Sequence, residues 1–112
     1  MKIQDMMTLY EYNYWATRRI LATGAKVSLE QRWYDEEMAM RDYLASLTDD
    51  DLTHLVRYTT GSGQKRERVL WHCLLHGVNH GTHHRSEAAA ILTGYGQSPG
   101  DLDFTVFLNE QR

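Results

Sequence analysis

A single cysteine, Cys73, and a single proline, Pro99, occur in 112 residues. One thiol cannot close an internal disulfide, which fits a reducing cytoplasm. Long apolar runs are missing too: no stretch approaches the roughly 20 residues that a membrane-spanning helix needs. The segment from Met1 to Tyr14 carries charged and polar residues throughout and has no apolar centre of the signal-peptide kind. A basic excess is also absent. Twelve Lys and Arg against 15 Asp and Glu leave a net charge of −3, and the one basic cluster, Lys65-Arg66-Glu67-Arg68, reads as a solvated strand edge. The expectation is a cytoplasmic protein with neither nucleic acid nor membrane as partner. No Ser/His/Asp triad, phosphate loop or dinucleotide fingerprint is present, and neither internal repeats nor low-complexity segments occur.

What remains is globular: 42% hydrophobic, 24% charged and 11% aromatic residues, enough for one domain spanning residues 1–112 with one modest core. Ile3, Met7, Tyr10, Tyr14, Thr17 and Leu21 recur in steps of four and three, predicting a first helix that ends near Gly24. Ser28-Leu29-Glu30-Gln31 has the form of a capping box. The helix after it should turn Trp33, Met40, Leu44 and Leu47 inward. Thr48-Asp49-Asp50-Asp51 predicts a new helical turn. Val56, Tyr58 and Thr59, then Gly61-Ser62-Gly63, then the polar arm Gln64 to Arg68 predict a small β-hairpin. A long helix from about Val69 to Thr93 should stop at Gly94-Tyr95-Gly96, followed by a short helix within 101–110 that docks Leu102, Phe104, Phe107 and Leu108. The fold class is all-α: a small antiparallel helical bundle with a hairpin before its last long helix.

Four of the six histidines lie in one stretch, His76-Gly77-Val78-Asn79-His80-Gly81-Thr82-His83-His84-Arg85. At about 100° per residue from His72, His83 falls near 20°, His76 near 40°, His80 near 80° and His84 near 120°, while the apolar residues occupy about 100–200°. This places His84 in the core-facing stripe and His80 on its margin. Two histidines four apart share a helix face and can share one divalent ion. The same spacing describes two hydrogen-bonded or surface histidines. His76 cannot join them, because residues 76 and 84 are about 12 Å apart along the axis. Glu87 either reaches the ion from the next turn, orients an imidazole, or is solvated. Cys73 reads as an inert small hydrophobe, and Gly77 with Gly81 as a site of close approach. Trp15, Trp33 and Trp71 read as core or interface anchors, with Trp15 off the main stripe of its helix.

Tyr12-Asn13-Tyr14-Trp15-Ala16, Tyr43-Leu44-Ala45-Ser46-Leu47-Thr48-Asp49, Leu70-Trp71 with the histidine stretch, and Ser98-Pro99-Gly100-Asp101-Leu102-Asp103 together resemble the DinB family of DNA-damage-inducible proteins. The resemblance implies a four-helix bundle of the DinB/YfiT type, commonly dimeric, with a divalent metal held by three histidines. Two of these match His80 and His84. The third belongs to a helix that this chain skips: after Lys26-Val27-Ser28-Leu29-Glu30-Gln31 the sequence passes directly to Arg32-Trp33-Tyr34, which looks like the family's third helix. Ser86 and Glu87 stand where the family has Gly and Gln.

The expectation is therefore a shortened, DinB-like protein that binds a divalent metal, zinc or nickel, through His80 and His84. The resemblance also implies a homodimer and a small-molecule or thiol substrate, as for relatives that are thiol transferases or isomerases. No catalytic residue is assigned. The alternative is a non-catalytic, dimerising bundle whose metal site has degenerated.

Overall fold

The computed structural model describes residues 1–24 and 27–111. In chain order it comprises α1 (Ile3–Gly24), α2 (Val27–Ala45), a single 3₁₀ turn (Asp51–Thr53), β1 (Leu55–Thr59), β2 (Lys65–Val69), α3 (Leu70–Gly94) and α4 (Phe104–Glu110). The chain is mostly helical with one antiparallel hairpin, as expected. Of the capping box expected at Ser28 to Gln31, Gln31 donates its side-chain amide forward to Asp35 Oδ1 at 3.1 Å, and the side chains of residues 28–30 lie outside those described. Among the described residues, no helix is long and apolar enough to cross a membrane.

α1 is the central element, and it buries more than one stripe. Met6 and Tyr10 enter the core on one side, Tyr14 on a second and Tyr12 with Ala16 on a third. The helix starts where Asp49, far along the chain, accepts the Ile3 backbone N–H at 2.7 Å; a carboxylate there satisfies a free amide and favours the positive helix end. Asp49 sits in the loop before the 3₁₀ turn. That turn closes on a reciprocal pair, in which the Thr48 N–H donates to Asp51 Oδ2 (2.8 Å) and the Asp51 N–H to Thr48 Oγ1 (3.3 Å). The turn plants Leu52, fully buried, in the core.

The hairpin pairs Leu55 with Val69 through Thr59 with Lys65. Gly63 takes φ +87° in its turn, a conformation that favours glycine. The ribbon is largely exposed, and its base is tied to α3 by the Leu70 N–H donating to the His54 carbonyl at 2.8 Å. α3 ends in a Schellman arrangement: the Gln97 N–H reaches the Leu92 carbonyl (2.8 Å), the Gly96 N–H reaches Thr93 (3.0 Å), and Gly96 takes φ +75°. α4 packs Phe104 and Phe107 edge-on against Tyr12, with ring centroids 5.1 and 5.8 Å apart. Trp15, which the main stripe leaves out, belongs to this second face; it lies 5.7 Å from Phe107 and donates Nε1–H to Glu110 at 2.7 Å.

The packing is a two-helix core, α1 on α3, flanked by α2 and α4. α2 touches α1 through buried Leu44 and half-buried Met40, but Trp33, expected inward, is 44% exposed. The first half of α2 stands off α1, so no core forms beneath Trp33. The radius of gyration, 15.6 Å, exceeds the roughly 13 Å of a compact chain this long.

Candidate metal centre

α3 carries five histidines, and its position is fixed by two glycines and an arginine. A methyl at Gly77 would stand 2.9 Å from the Tyr10 hydroxyl oxygen, and one at Gly81 would stand 3.0 Å from Asn13 Oδ1. The close approach expected of this pair is therefore an approach to α1. Tyr10 donates its hydroxyl to the Leu74 carbonyl at 3.0 Å. Half-buried Arg85 donates to Asn13 Oδ1 on α1 and, within α3, to Thr82 Oγ1 at 3.0 Å; α3 cannot rotate without breaking the two bonds that Tyr10 and Arg85 make across to the other helix.

With α3 held this way, Nε2 of His80 and Nε2 of His84 stand 2.9 Å apart, their rings nearly perpendicular at 87°. Either nitrogen can be the donor of this contact, as the tautomer of each ring decides. His76 stacks on His80 at 5.6 Å between centroids but contributes no nitrogen to the pair. Glu87 Oε1 stands 2.8 Å from His83 Nε2 and its other oxygen 4.0 Å from His84 Nδ1, with the Glu87 side chain 60% exposed. It is therefore solvated beside the two imidazoles and makes no hydrogen bond to His84.

The core-facing placement of His84 is corrected by the structure: its side chain is 61% exposed, and His80 is exposed as well. The buried arc of α3 follows Leu74 and Val78, at about 200–240° on the wheel, and not the middle of the apolar stripe. Ile91, on the side of the stripe nearer the histidines, is 63% exposed. Among the described residues, no group of three or more His, Cys, Asp and Glu stands close enough to hold a metal. His54, on the loop before the hairpin, is exposed beside Asp51, and Cys73 is half-buried with a free thiol.

A second cluster, between α1 and α2, was not evident in the sequence beyond the Glu37/Arg41 spacing. Arg41 forks onto both Glu11 oxygens and donates Nε–H to Glu37 Oε2 at 3.0 Å, while Arg18 donates to the same Glu37 oxygen at 2.6 Å. Burial alone would raise the Glu37 carboxyl, but donation from Arg18 and Arg41 outweighs it and holds the group below its ordinary value. The Arg41 guanidinium lies 4.5 Å over the Tyr14 ring. Burial pushes the Tyr14 hydroxyl up to about 12, so it keeps its proton at neutral pH.

No curated protein and no solved structure matches the chain. The family model described as DinB family matches residues 31–112, starting where the sequence resemblance places the skipped helix. With well over half of its length matched, the chain belongs to the DinB family.

Proposed function

We propose that His80 and His84 bind one divalent metal ion through their Nε2 atoms, with zinc or nickel the best-suited ions. The observation that carries this is the 2.9 Å between the two nitrogens. Two imidazole nitrogens bound at about 2.0–2.1 Å stand about 2.9 Å apart when cis at right angles, and about 3.3 Å apart at a tetrahedral angle. The observed distance equals the right-angle value, and the tetrahedral one requires the nitrogens to part by about 0.4 Å, with both rings turned so that their lone pairs converge on the ion. Neutral imidazoles are the metal-binding form, and Glu87, 4.0 Å from His84 Nδ1, would fix that ring by closing the gap to accept its N–H.

Two protein ligands leave coordination positions open. A homodimer accounts for the expanded shape and the half-covered α2, and a four-helix arrangement completed by a second copy would protect the open positions. The ion, when bound, supplies Lewis-acid chemistry, lowering the pKa of a coordinated water or thiol. A small-molecule or thiol substrate and a cytoplasmic location fit this reading. The chain's own residues do the positioning: Arg85 and the two glycines hold the histidine edge of α3 against α1.

The second reading, a non-catalytic dimerising bundle, is favoured by the lack of a third ligand beside the pair among the described residues. Native mass spectrometry after loading with zinc or nickel separates the two. About one ion per chain, lost in both His80→Ala and His84→Ala, supports the metal site; unchanged metal content in both variants refutes it. A metal-free dimer after loading supports the second reading.

A further inference from the structure

Charge is spread unevenly along this chain. Four of its 12 Lys and Arg, against one of its 15 Asp and Glu, fall within residues 55–69, so the hairpin carries +3 in a chain of net charge −3. The register then sorts those charges by face. Val56 pairs with Arg68 and Tyr58 with Arg66, and residues directly opposite share one face of a ribbon. We infer that this face binds single-stranded nucleic acid, with phosphates on Arg66 and Arg68 and a base stacked on Tyr58. The inference goes beyond the metal site and does not depend on it.

Both arginines are bonded only to neutral groups. Arg66 donates to Gln64 Oε1 at 2.5 Å, and Arg68 donates Nε–H to the Tyr58 hydroxyl at 3.0 Å. The one carboxylate of the hairpin, Glu67, lies on the opposite face and takes Arg57 at 3.2 Å. Each guanidinium thus engages one of its five N–H donors and keeps a fork for phosphate oxygens. Two positions apart on one strand, the arginines are set about 7 Å from each other, a step comparable to that between successive phosphates of an extended strand. Tyr58, across from Arg66, is 40% exposed. An exposed ring among cations is how proteins hold single strands, the bases on the aromatic face and the backbone on the charges. At 0.1 M salt charges farther away than about 10 Å are screened, so the local +3 and not the overall −3 sets the field that a strand meets there.

Other occupants fit less well. A hollow of about 390 Å³ follows the ribbon, but all the residues that line it, Tyr58 and Arg66 among them, are exposed, whereas a small ligand has most of its surface buried by its site. A membrane surface calls for apolar side chains to enter it, and the tip of the hairpin is Thr60-Gly61-Ser62-Gly63-Gln64. A duplex brings phosphates but keeps its bases stacked inside, away from Tyr58. An acidic peptide answers the arginines and offers the tyrosine ring no base.

The test is fluorescence anisotropy of a short labelled oligothymidylate with the metal-free full chain over a series of salt concentrations. Saturable binding is expected at low salt, falling with a log–log slope of about −1.4, the value for two phosphates of a single strand. Arg66→Gln and Arg68→Gln should each weaken binding and flatten the slope to about −0.7. Tyr58→Ala should weaken it at least about fivefold, while Tyr58→Phe, which keeps the ring, should retain most of it. Arg57→Gln, on the other face, should bind as the wild type does. All four positions are exposed, so the variants should keep the wild-type melt. The inference is overturned if the wild type does not bind at low salt, if Tyr58→Ala or both arginine variants bind unchanged, or if Arg57→Gln loses as much as Arg66→Gln, since charge alone then suffices. It is equally overturned if a duplex, a poly-glutamate peptide or anionic lipid vesicles bind as tightly, or if thymidine monophosphate competes as well as the unlabelled oligonucleotide. Binding in His80→Ala should match wild type, so failure of the metal reading leaves this result intact.

Discussion

The hydroxyl oxygen of Tyr10 stands 2.9 Å from where a methyl on Gly77 would lie, while bonded to the carbonyl of Leu74 one turn earlier. The glycine is thus the counterpart of the tyrosine. Elsewhere in a helix, Gly→Ala gains up to about 1 kcal/mol. At Gly77 the added methyl must displace a buried, bonded hydroxyl, which costs about 1–3 kcal/mol. Gly77→Ala is therefore expected to lower stability by about 1 kcal/mol in urea denaturation. The double variant Gly77→Ala with Tyr10→Phe, which removes the obstructing oxygen, should recover most of that loss. Additive losses would show that the two residues are not coupled.

Two glycines at the end of α3 should respond with opposite signs to one substitution. Gly94 is the last helical residue, with nothing within 4 Å of an added methyl. Gly96 holds φ +75°. Gly94→Ala should stabilise by about 0.5–1 kcal/mol through helix propensity. Gly96→Ala should destabilise by about 1 kcal/mol, because an L side chain is strained in the left-handed region. Thermal melts of both variants check the pair; the same sign for both would contradict the Schellman ending.

These local rules explain which features were legible in the sequence. The stripe Ile3, Met7, Tyr10, Tyr14, the glycine-rich hairpin turn and the stop at Gly94 to Gly96 each rest on nearby residues, and each is found. Features set by distant residues were not legible. The second buried face of α1 through Tyr12 and Trp15 exists because α4 returns to cover it. Asp49 caps a helix 46 residues away. His84 was misplaced because a wheel gives the apolar arc but not which part of that arc α1 covers. Glu37 and Arg41 announce themselves by their spacing, whereas the bonds to Glu11 and Arg18 need the approach of α2 to α1.

The Glu37 junction predicts a pH dependence. Its folded carboxyl lies below the ordinary 4.5, so the unfolded state binds more protons in the window between the two values. The stability this gives is fully present above about 4.5 and is lost as pH falls through the folded value. Asp51, held down by the Thr48 N–H, acts in the same direction just below 3.8. Glu37→Gln should cost about 1–2 kcal/mol at neutral pH, because a neutral amide oxygen then replaces the carboxylate that Arg18 and Arg41 share. It should also flatten the fall in stability between pH 5 and 3 expected of the wild type, leaving the part due to Asp51. Urea titrations across that range measure both effects, and an unchanged slope would remove Glu37 as a source.

The histidine pair predicts ligand-linked stability that reads out without any assumed reaction. An ion bound only by the folded state stabilises it by about 2.7 kcal/mol at 100 times its dissociation constant, which for a domain of this size raises the melting temperature by roughly 10 °C or more. Zinc or nickel should produce that rise in the wild type, and a chelator should reverse it. His80→Ala and His84→Ala should each abolish it, since one imidazole is a weak site alone. Glu87→Gln should weaken metal affinity roughly tenfold, the size of effect seen when a carboxylate that orients a metal-bound imidazole is lost. His83→Ala removes the other partner of Glu87 but neither Nε2 of the pair, and should leave the rise in place. A rise that survives both pair variants but disappears in His83→Ala would move the site to His83 and Glu87, which already stand 2.8 Å apart.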